Sequence, residues 1–265
     1  VLSAEQRAAF ERAGITRLRG TIPARDVIAM RASIWDFLER AHGVREVDPA
    51  TWPASRPFHF QALSRSDAFA PVRCPALAGL LDEFLGSGGW QEPPSWGPPL
   101  LSFRDCEAWE LPTKSWHLDL PIAPTSALRA VRAFTFLTDV EPRGGATVAV
   151  AGSHRVLRAL AERAGRELRS REAREALAAS DPWFAALEER DADVRDERFL
   201  RDGACVLSVP VRVVELCARA GDIVLMRAEL LHAAAPHALG APRIVLAPFV
   251  MARGAAPPPT NPACN

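Results

Sequence analysis

Tyrosine is missing from this chain altogether, and Lys114 is its only lysine. Positive charge is carried almost wholly by arginine, in a chain also rich in alanine, a bias that points to a GC-rich, bacterial genome rather than to a function. Net charge is missing too: 32 basic residues balance 32 acidic ones, and the pI is about 7.2. Such a chain presents no overall field to nucleic acid or to an anionic membrane, and neither partner is expected. No apolar run approaches the roughly 18 residues of a membrane span. The five cysteines are odd in number and lack CxxC spacing, which reads as reduced thiols in a cytoplasmic protein. The opening "VLSAEQRAAFERAG" carries no basic-then-apolar secretory pattern, again as expected of a cytoplasmic chain. What remains is 48% hydrophobic and 24% charged, the balance of a folded globular protein, and 265 residues are enough to bury a sizeable core.

No repeat of fixed period is visible. "SAEQRAAFERAG" reads as a helix capped by Ser3 and ended by Gly14, with "ITRLRG" as a strand after it. "PARDVIAMRASIWDFLERAHG" predicts a second helix with Val27, Met30, Ile34 and Phe37 or Leu38 on one face. A third lies in "CPALAGLLDEFLG". From Leu100 the apolar residues come in short runs bounded by Pro, Gly and Asp, the punctuation of β-structure. Residues 156–198 turn helical and densely charged, after which strands resume in "ACVLSV", "RVVELCA", "DIVLMRA" and "RIVLAPFV". The predicted organisation is a single domain over 1–265. It comprises helical support and pocket elements at 1–98, a β core at 99–155 and 199–251, a helical insertion or lid at 156–198, and a tail at 252–265.

The stretch "SWHLDLP", Ser115 to Pro121, reads as a strand, in which residues two apart point the same way. His117 and Asp119 then share a face. An imidazole and a carboxylate projecting together are two thirds of the 2-His-1-carboxylate set of non-haem Fe(II) oxygenases, although a bare HxD is equally a simple hydrogen-bonded pair. Among the other histidines, His42 closes a helix, where it suits the dipole. His59, in "PFHF", lies outside the β region, and His154, in "GSHR", orders a loop. His232 ends an apolar run expected to be a strand, and is the expected third ligand. Eleven residues further on, Arg243 opens the last strand. Three protein ligands leave room on iron for a bidentate 2-oxo acid and dioxygen. The far carboxylate of 2-oxoglutarate then needs a buried forked cation, which arginine supplies better than lysine. Zinc also accepts two histidines and an aspartate; Arg243 and the "GGATVAVAGSH" stretch favour iron.

On these residues the chain resembles the phytanoyl-CoA dioxygenase (PhyH) family of Fe(II)/2-oxoglutarate-dependent oxygenases. The likeness is carried by "WHLD", "RGGATVAVAGSHR" and "AGDIVLMRAELLHAAAPHALGAPR", with the N-terminal helix and "GITRLRG" in support. It covers most of the chain and is weakest over 44–98 and 156–198. The resemblance implies a mixed, mainly β fold: a double-stranded β-helix (cupin-like jelly roll) flanked by N-terminal helices, with the insertion between core strands. It implies the metal triad His117, Asp119 and His232, with Arg243 on the C5 carboxylate of 2-oxoglutarate and Thr147 helping to hold the co-substrate. Lys114 stands where the family often has a polar co-substrate contact, and a solvated lysine is the simpler reading of it. His237 stands where asparagine is commoner, which implies a supporting or substrate-facing role rather than ligation.

The implied reaction takes Fe(II), 2-oxoglutarate and O2 and hydroxylates an aliphatic C–H of a small-molecule metabolite, releasing succinate and CO2. Desaturation or cyclisation are variants. Halogenation is not expected, because Asp119 keeps the carboxylate ligand. Trp116, His59, Phe136 and His237 are candidate substrate contacts, with Phe58, Phe134 and Trp183 beside them, although large aromatics more often fill cores. Arg155, Arg158, Arg166, Arg169 and Arg171 could meet an anionic group on a CoA- or carrier-linked substrate; nearby glutamates almost match them, so internal ion pairs are the simpler reading. Two other classes stay open: a metal-dependent cupin enzyme that does not use 2-oxoglutarate, and a non-catalytic jelly-roll binding protein.

Overall fold

The computed structural model describes residues 2–53, 57, 59–125, 127–190 and 195–255. Helix α1, Ala4–Ala13, begins where Ser3 accepts a hydrogen bond from the Gln6 amide while the Gln6 side chain accepts one from Ser3, a reciprocal cap. It ends at Gly14, whose φ of 78° no β-carbon would tolerate cheaply, and the chain enters β1, Ile15–Leu18. The face predicted for α2, Ala24–His42, is the one buried: Val27, Met30, Ile34 and Leu38, joined by Trp35. Short α3, Gln61–Ser64, and α4, Pro75–Leu85, complete the N-terminal helices.

Nine further strands follow among the described residues. They are β2 (Pro99–Ser102), β3 (Ala130–Phe136), β4 (Thr147–Ala151), β5 (Ala204–Val206), β6 (Val209–Glu215), β7 (Ile223–Arg227), β8 (His232–Ala234), β9 (Arg243–Leu246) and β10 (Phe249–Met251). All pair antiparallel, in a larger sheet ordered β1-β7-β3-β9-β2, with β10 on β3, and a smaller one ordered β5-β6-β4-β8. Between β4 and β5 lie α5 (Ser153–Ala164), α6 (Ser170–Ser180), α7 (Pro182–Leu187) and a π-helical turn, Glu197–Asp202. Strands on either side of this excursion pair with each other, β3 with β7 and β4 with β6, as a double-stranded β-helix requires.

Side-chain alternation explains the layers. In "AVRAFTF" Phe134 and Phe136 point inward, where they meet Val224, Met226 and Val245 from their own sheet and Ala149 and Val214 from the other. Val131 and Ala133 point outward with Leu225 and Leu246, onto Phe10, Met30, Leu38 and Leu81 of the N-terminal helices. The smaller sheet turns Val148, Val150, Val211 and Val213 outward onto Leu157, Leu177, Trp183 and Leu187 of the excursion. Each such large side chain contributes roughly 1.5–3 kcal/mol by leaving water. The excursion therefore buries its apolar residues against the outside of the smaller sheet. Its arginines go largely to its own glutamates: Arg158 to Glu162, Arg166 to Glu172 and Arg171 to Glu175.

Several predicted elements differ in detail. The strand expected around His117 is a single bridge, His117 to His232, because the backbone of Asp119 bonds instead to Ala228 on the far side of a turn. His232 does not end the strand before it. β7 stops at Arg227, the chain turns through 228–231 with Leu230 and Leu231 buried, and His232 opens β8 in the opposite sheet. That turn contains neither Gly nor Pro, so nothing in the apolar run announces it. "ACVLSV" is a hairpin rather than one strand, since Leu207 and Ser208 take positive φ angles of 49° and 62°. The "GSH" turn is the start of α5, with Gly152 at φ 85° in the capping position.

His154 orders its surroundings by bonding to the Glu11 carbonyl at 3.1 Å. Burial, with the neighbouring Arg227 charge, pushes its pKa from 6.5 down to about 3, so it folds neutral. A depressed pKa means that the unfolded chain takes up the proton first, so this contribution is intact above about pH 6.5 and fades as pH falls towards about 3. Lowering the pH from about 7 to about 5 should cost about 2 kcal/mol through this group. Urea titrations at the two pH values should show that loss, and His154→Gln should flatten the slope.

Candidate metal centre

The geometry starts from a backbone exchange. The His117 amide donates to the His232 carbonyl at 2.9 Å, and the His232 amide returns a bond to the His117 carbonyl at 3.0 Å. Two residues paired in this way across antiparallel chains project side by side, and the imidazole centroids lie 4.2 Å apart. Asp119, two residues on from His117, reaches the same space: His117 Nε2 is 3.9 Å from Asp119 Oδ1 and His232 Nε2 is 3.7 Å from Oδ2. One ligand atom from each of the three falls within 4.8 Å of the others, so a single cation could touch them all.

The two rings are oriented by their other nitrogens. His117 Nδ1 lies 2.8 Å from the Ser115 carbonyl and His232 Nδ1 lies 2.9 Å from the Leu230 carbonyl. A protonated Nδ1 donating to each carbonyl leaves both Nε2 lone pairs facing the centre. Burial holds His232 down at about 4 despite the attraction of Asp119, so it is a neutral donor near pH 7. Burial is the largest single influence on the Asp119 carboxyl and would raise it, but the Arg132 charge, His232, the Arg132 hydrogen bond and His117 together outweigh it and bring the group to about 2. His232 and Asp119 are thus in the protonation states a divalent cation needs. Side-chain exposures of 44%, 10% and 6% for His117, Asp119 and His232 show that the cluster opens to solvent on the His117 side.

Further inside, Arg243 begins β9, is only 4% exposed, and donates from Nη2 to Thr147 Oγ1 at 3.2 Å. β4 carries Thr147 two residues before Ala149, which pairs with His232, so the arginine reaches across the interior from the larger sheet to the wall that holds His232. Ser102, opposite Arg243 in the β2–β9 register, lies 3.1 Å from His237 Nδ1 through its hydroxyl. His237 is buried at the same end, its backbone tied to Asp105, and the burial lowers its pKa. Gly145 makes this packing possible, since a β-carbon there would stand 2.7 Å from Ser102 Oγ and 3.0 Å from the His237 ring.

The remaining candidates fall elsewhere. Phe136 and Phe134 are buried in the interior cluster, whereas Trp116 faces outward into the excursion's core, its indole donating to the Pro112 carbonyl at 2.9 Å. Trp183 belongs to that same outer core. Lys114 is exposed, on a shallow depression of about 480 Å³ that also touches Asp105, Ser115 and Ala234. His59 is exposed on the approach to α3, and Phe58 lies outside the described residues. Sequence reading missed Arg132, which donates from Nε to Asp119 Oδ2 at 2.7 Å. The signal was available: in "AVRAFTF" the alternation that turns Phe134 and Phe136 inward turns Arg132 inward as well.

A jelly roll carrying two histidines and a carboxylate at one end, with a buried arginine behind them, defines a class of mononuclear metal proteins. The phytanoyl-CoA dioxygenase (PhyH) family profile matches residues 10–245, and the chain belongs to that family. No curated protein matches it. Among solved structures it is similar to SnoN, the non-haem alpha-ketoglutarate-dependent epimerase of nogalamycin biosynthesis, at 22% identity and a TM-score of 0.57 over 98% of this chain and 86% of that one. It is also similar to HygX from Streptomyces hygroscopicus, solved with nickel and 2-oxoglutarate bound, at 18% identity and a TM-score of 0.53 over 96% and 88%. SnoK, a non-haem alpha-ketoglutarate-dependent carbocyclase, aligns at 17% identity and a TM-score of 0.55 over 99% and 89%. At these identities the likeness is one of fold.

His117→Ala and Asp119→Ala should each abolish one-to-one binding of Mn2+ in a calorimetric titration while leaving the far-UV circular dichroism unchanged. Retained stoichiometric binding in both variants would place the cation elsewhere.

Proposed function

We propose that this chain, as a single domain, is an Fe(II)- and 2-oxoglutarate-dependent oxygenase that hydroxylates an aliphatic C–H of a small-molecule metabolite. The observation that carries this reading is the convergence of His117, Asp119 and His232 with Arg243 buried further along the same interior. The donor set fits iron: two neutral imidazoles and one carboxylate leave a divalent cation one net positive charge, which suits chelation of an anionic 2-oxo acid. When bound, iron with 2-oxoglutarate would supply the oxidising power, one oxygen atom of O2 going to the substrate and the other to succinate as CO2 leaves.

The protein's own part is positioning. His117, Asp119 and His232 hold the metal. Arg243 takes the far carboxylate of 2-oxoglutarate through its fork, and Thr147 fixes that guanidinium by accepting from Nη2. Phe134, Phe136 and Val245 line the interior behind them and keep water from the reacting end. The half-exposed His117 side is where substrate approaches. Asp119 fills the place a halide would need, so chlorination is not proposed. SnoN and SnoK are named as an epimerase and a carbocyclase, so product mass is the readout of outcome. Hydroxylation adds one oxygen, ring closure removes two hydrogens, and epimerisation changes nothing.

Anaerobic addition of Fe(II) and 2-oxoglutarate should produce the weak visible charge-transfer band of the chelate. Arg243→Ala should abolish it at matched co-substrate concentration, and Arg243→Lys should weaken it, because lysine keeps the charge and loses the fork. A metal-loaded wild type that shows no band, and forms no succinate in air with any substrate, would favour a cupin of another kind.

A further inference from the structure

We infer that Arg132 is a positioning residue that reserves one oxygen of Asp119, so that the carboxylate offers a metal ion the other oxygen alone. The inference rests on the metal and 2-oxoglutarate reading above and adds to it the reason a charged residue sits beside the ligand. Arg132 lies on the inward face of β3, between Val131 and Ala133, which point out into the helical layer. Its guanidinium is held at three points: Nε donates to Asp119 Oδ2 at 2.7 Å, Nη1 donates to the Ala247 carbonyl at 3.1 Å, and its carbon stands 5.3 Å from the centroid of the Phe249 ring. Side-chain exposures of 24% for Arg132 and 10% for Asp119 leave little water to screen the pair.

A carboxylate with both oxygens free can bind a hard cation through one oxygen or through both. Here one oxygen is engaged by a charge-assisted bond from a planar donor that cannot lose its proton, and a fixed positive charge near the cation also works against tight binding. Both effects give up metal affinity. In return, a second carboxylate oxygen does not occupy a coordination position that the 2-oxo acid requires. A residue that merely packed the interior would not separate these two affinities; Arg132 should move them in opposite directions.

The test is a pair of anaerobic calorimetric titrations, Mn2+ into apo-protein and then 2-oxoglutarate into the Mn2+-loaded protein. Arg132→Met should bind Mn2+ at least as tightly as wild type and 2-oxoglutarate severalfold more weakly. Arg132→Lys should fall between, since a point charge cannot bond Asp119 and the Ala247 carbonyl in one fixed plane. Phe249→Leu, which keeps the ion pair and removes the ring beneath it, should shift both affinities in the same senses by less, and it carries the test should Arg132→Met fail to fold. Parallel weakening of Mn2+ and 2-oxoglutarate, or an unchanged 2-oxoglutarate affinity, would overturn the inference while leaving the metal site intact. A wild type that takes up no Mn2+ would instead remove the metal reading itself.

Discussion

Two backbone hydrogen bonds, between residues more than a hundred positions apart in the chain, hold the centre together. The reciprocal pair joining His117 and His232 sets the imidazoles side by side before any side-chain interaction is considered. Asp119 follows from it by the alternation of side chains along the segment, and Arg243 reaches across from β9 to Thr147, two residues from the Ala149 that pairs with His232. What keeps the pair in place is the closure of the two sheets over Phe134, Phe136, Val224 and Met226, since a shift of register by one residue would turn every one of these outward. The chemistry of the site is thus a by-product of strand register, and the hydrophobic alternation that fixes register also fixes the donor set.

Charge is handled by the same economy. The chain has no net charge, yet it buries Asp119 beside Arg132, and Arg243 beside a neutral hydroxyl. Burial drives His232 to its neutral form, whereas at Asp119 the same burial is outweighed by Arg132 and the two histidines acting together. One low-polarity interior therefore yields a neutral imidazole and an ionised carboxylate side by side, two different outcomes that depend on which neighbour is a cation.

Much of this was legible in the residues. The capping pattern at Ser3, the apolar stripe of α2 and the strand punctuation after Leu100 are local signals, and the elements they predict are present. The ordered set of histidine, aspartate, distant histidine and arginine named the residues that the fold brings together, because each type is scarce on an inward β face. What could not be read were the features decided by distant partners. The segment at His117 makes a single bridge between two bends, since its backbone bonds split between Ala228 and His232. The turn at 228–231 hides inside an apolar run because the residues making it are themselves buried. Arg132 escaped because, standing alone in the sequence, an arginine among phenylalanines has no visible partner; the carboxylate it serves lies on a segment whose placement local patterns do not reveal.

Residues 116 and 118 face the opposite way from the two ligands between and beside them. Trp116 and Leu118 are seated in the apolar core of the helical excursion, the Leu118 amide donates to Ser170 Oγ at 3.0 Å, and Ile122 exchanges backbone bonds with Leu168. The excursion is thus the mould against which the ligand-bearing segment sets. Chimeras that exchange the helices would need to carry residues 116 to 122 along with them as one cassette.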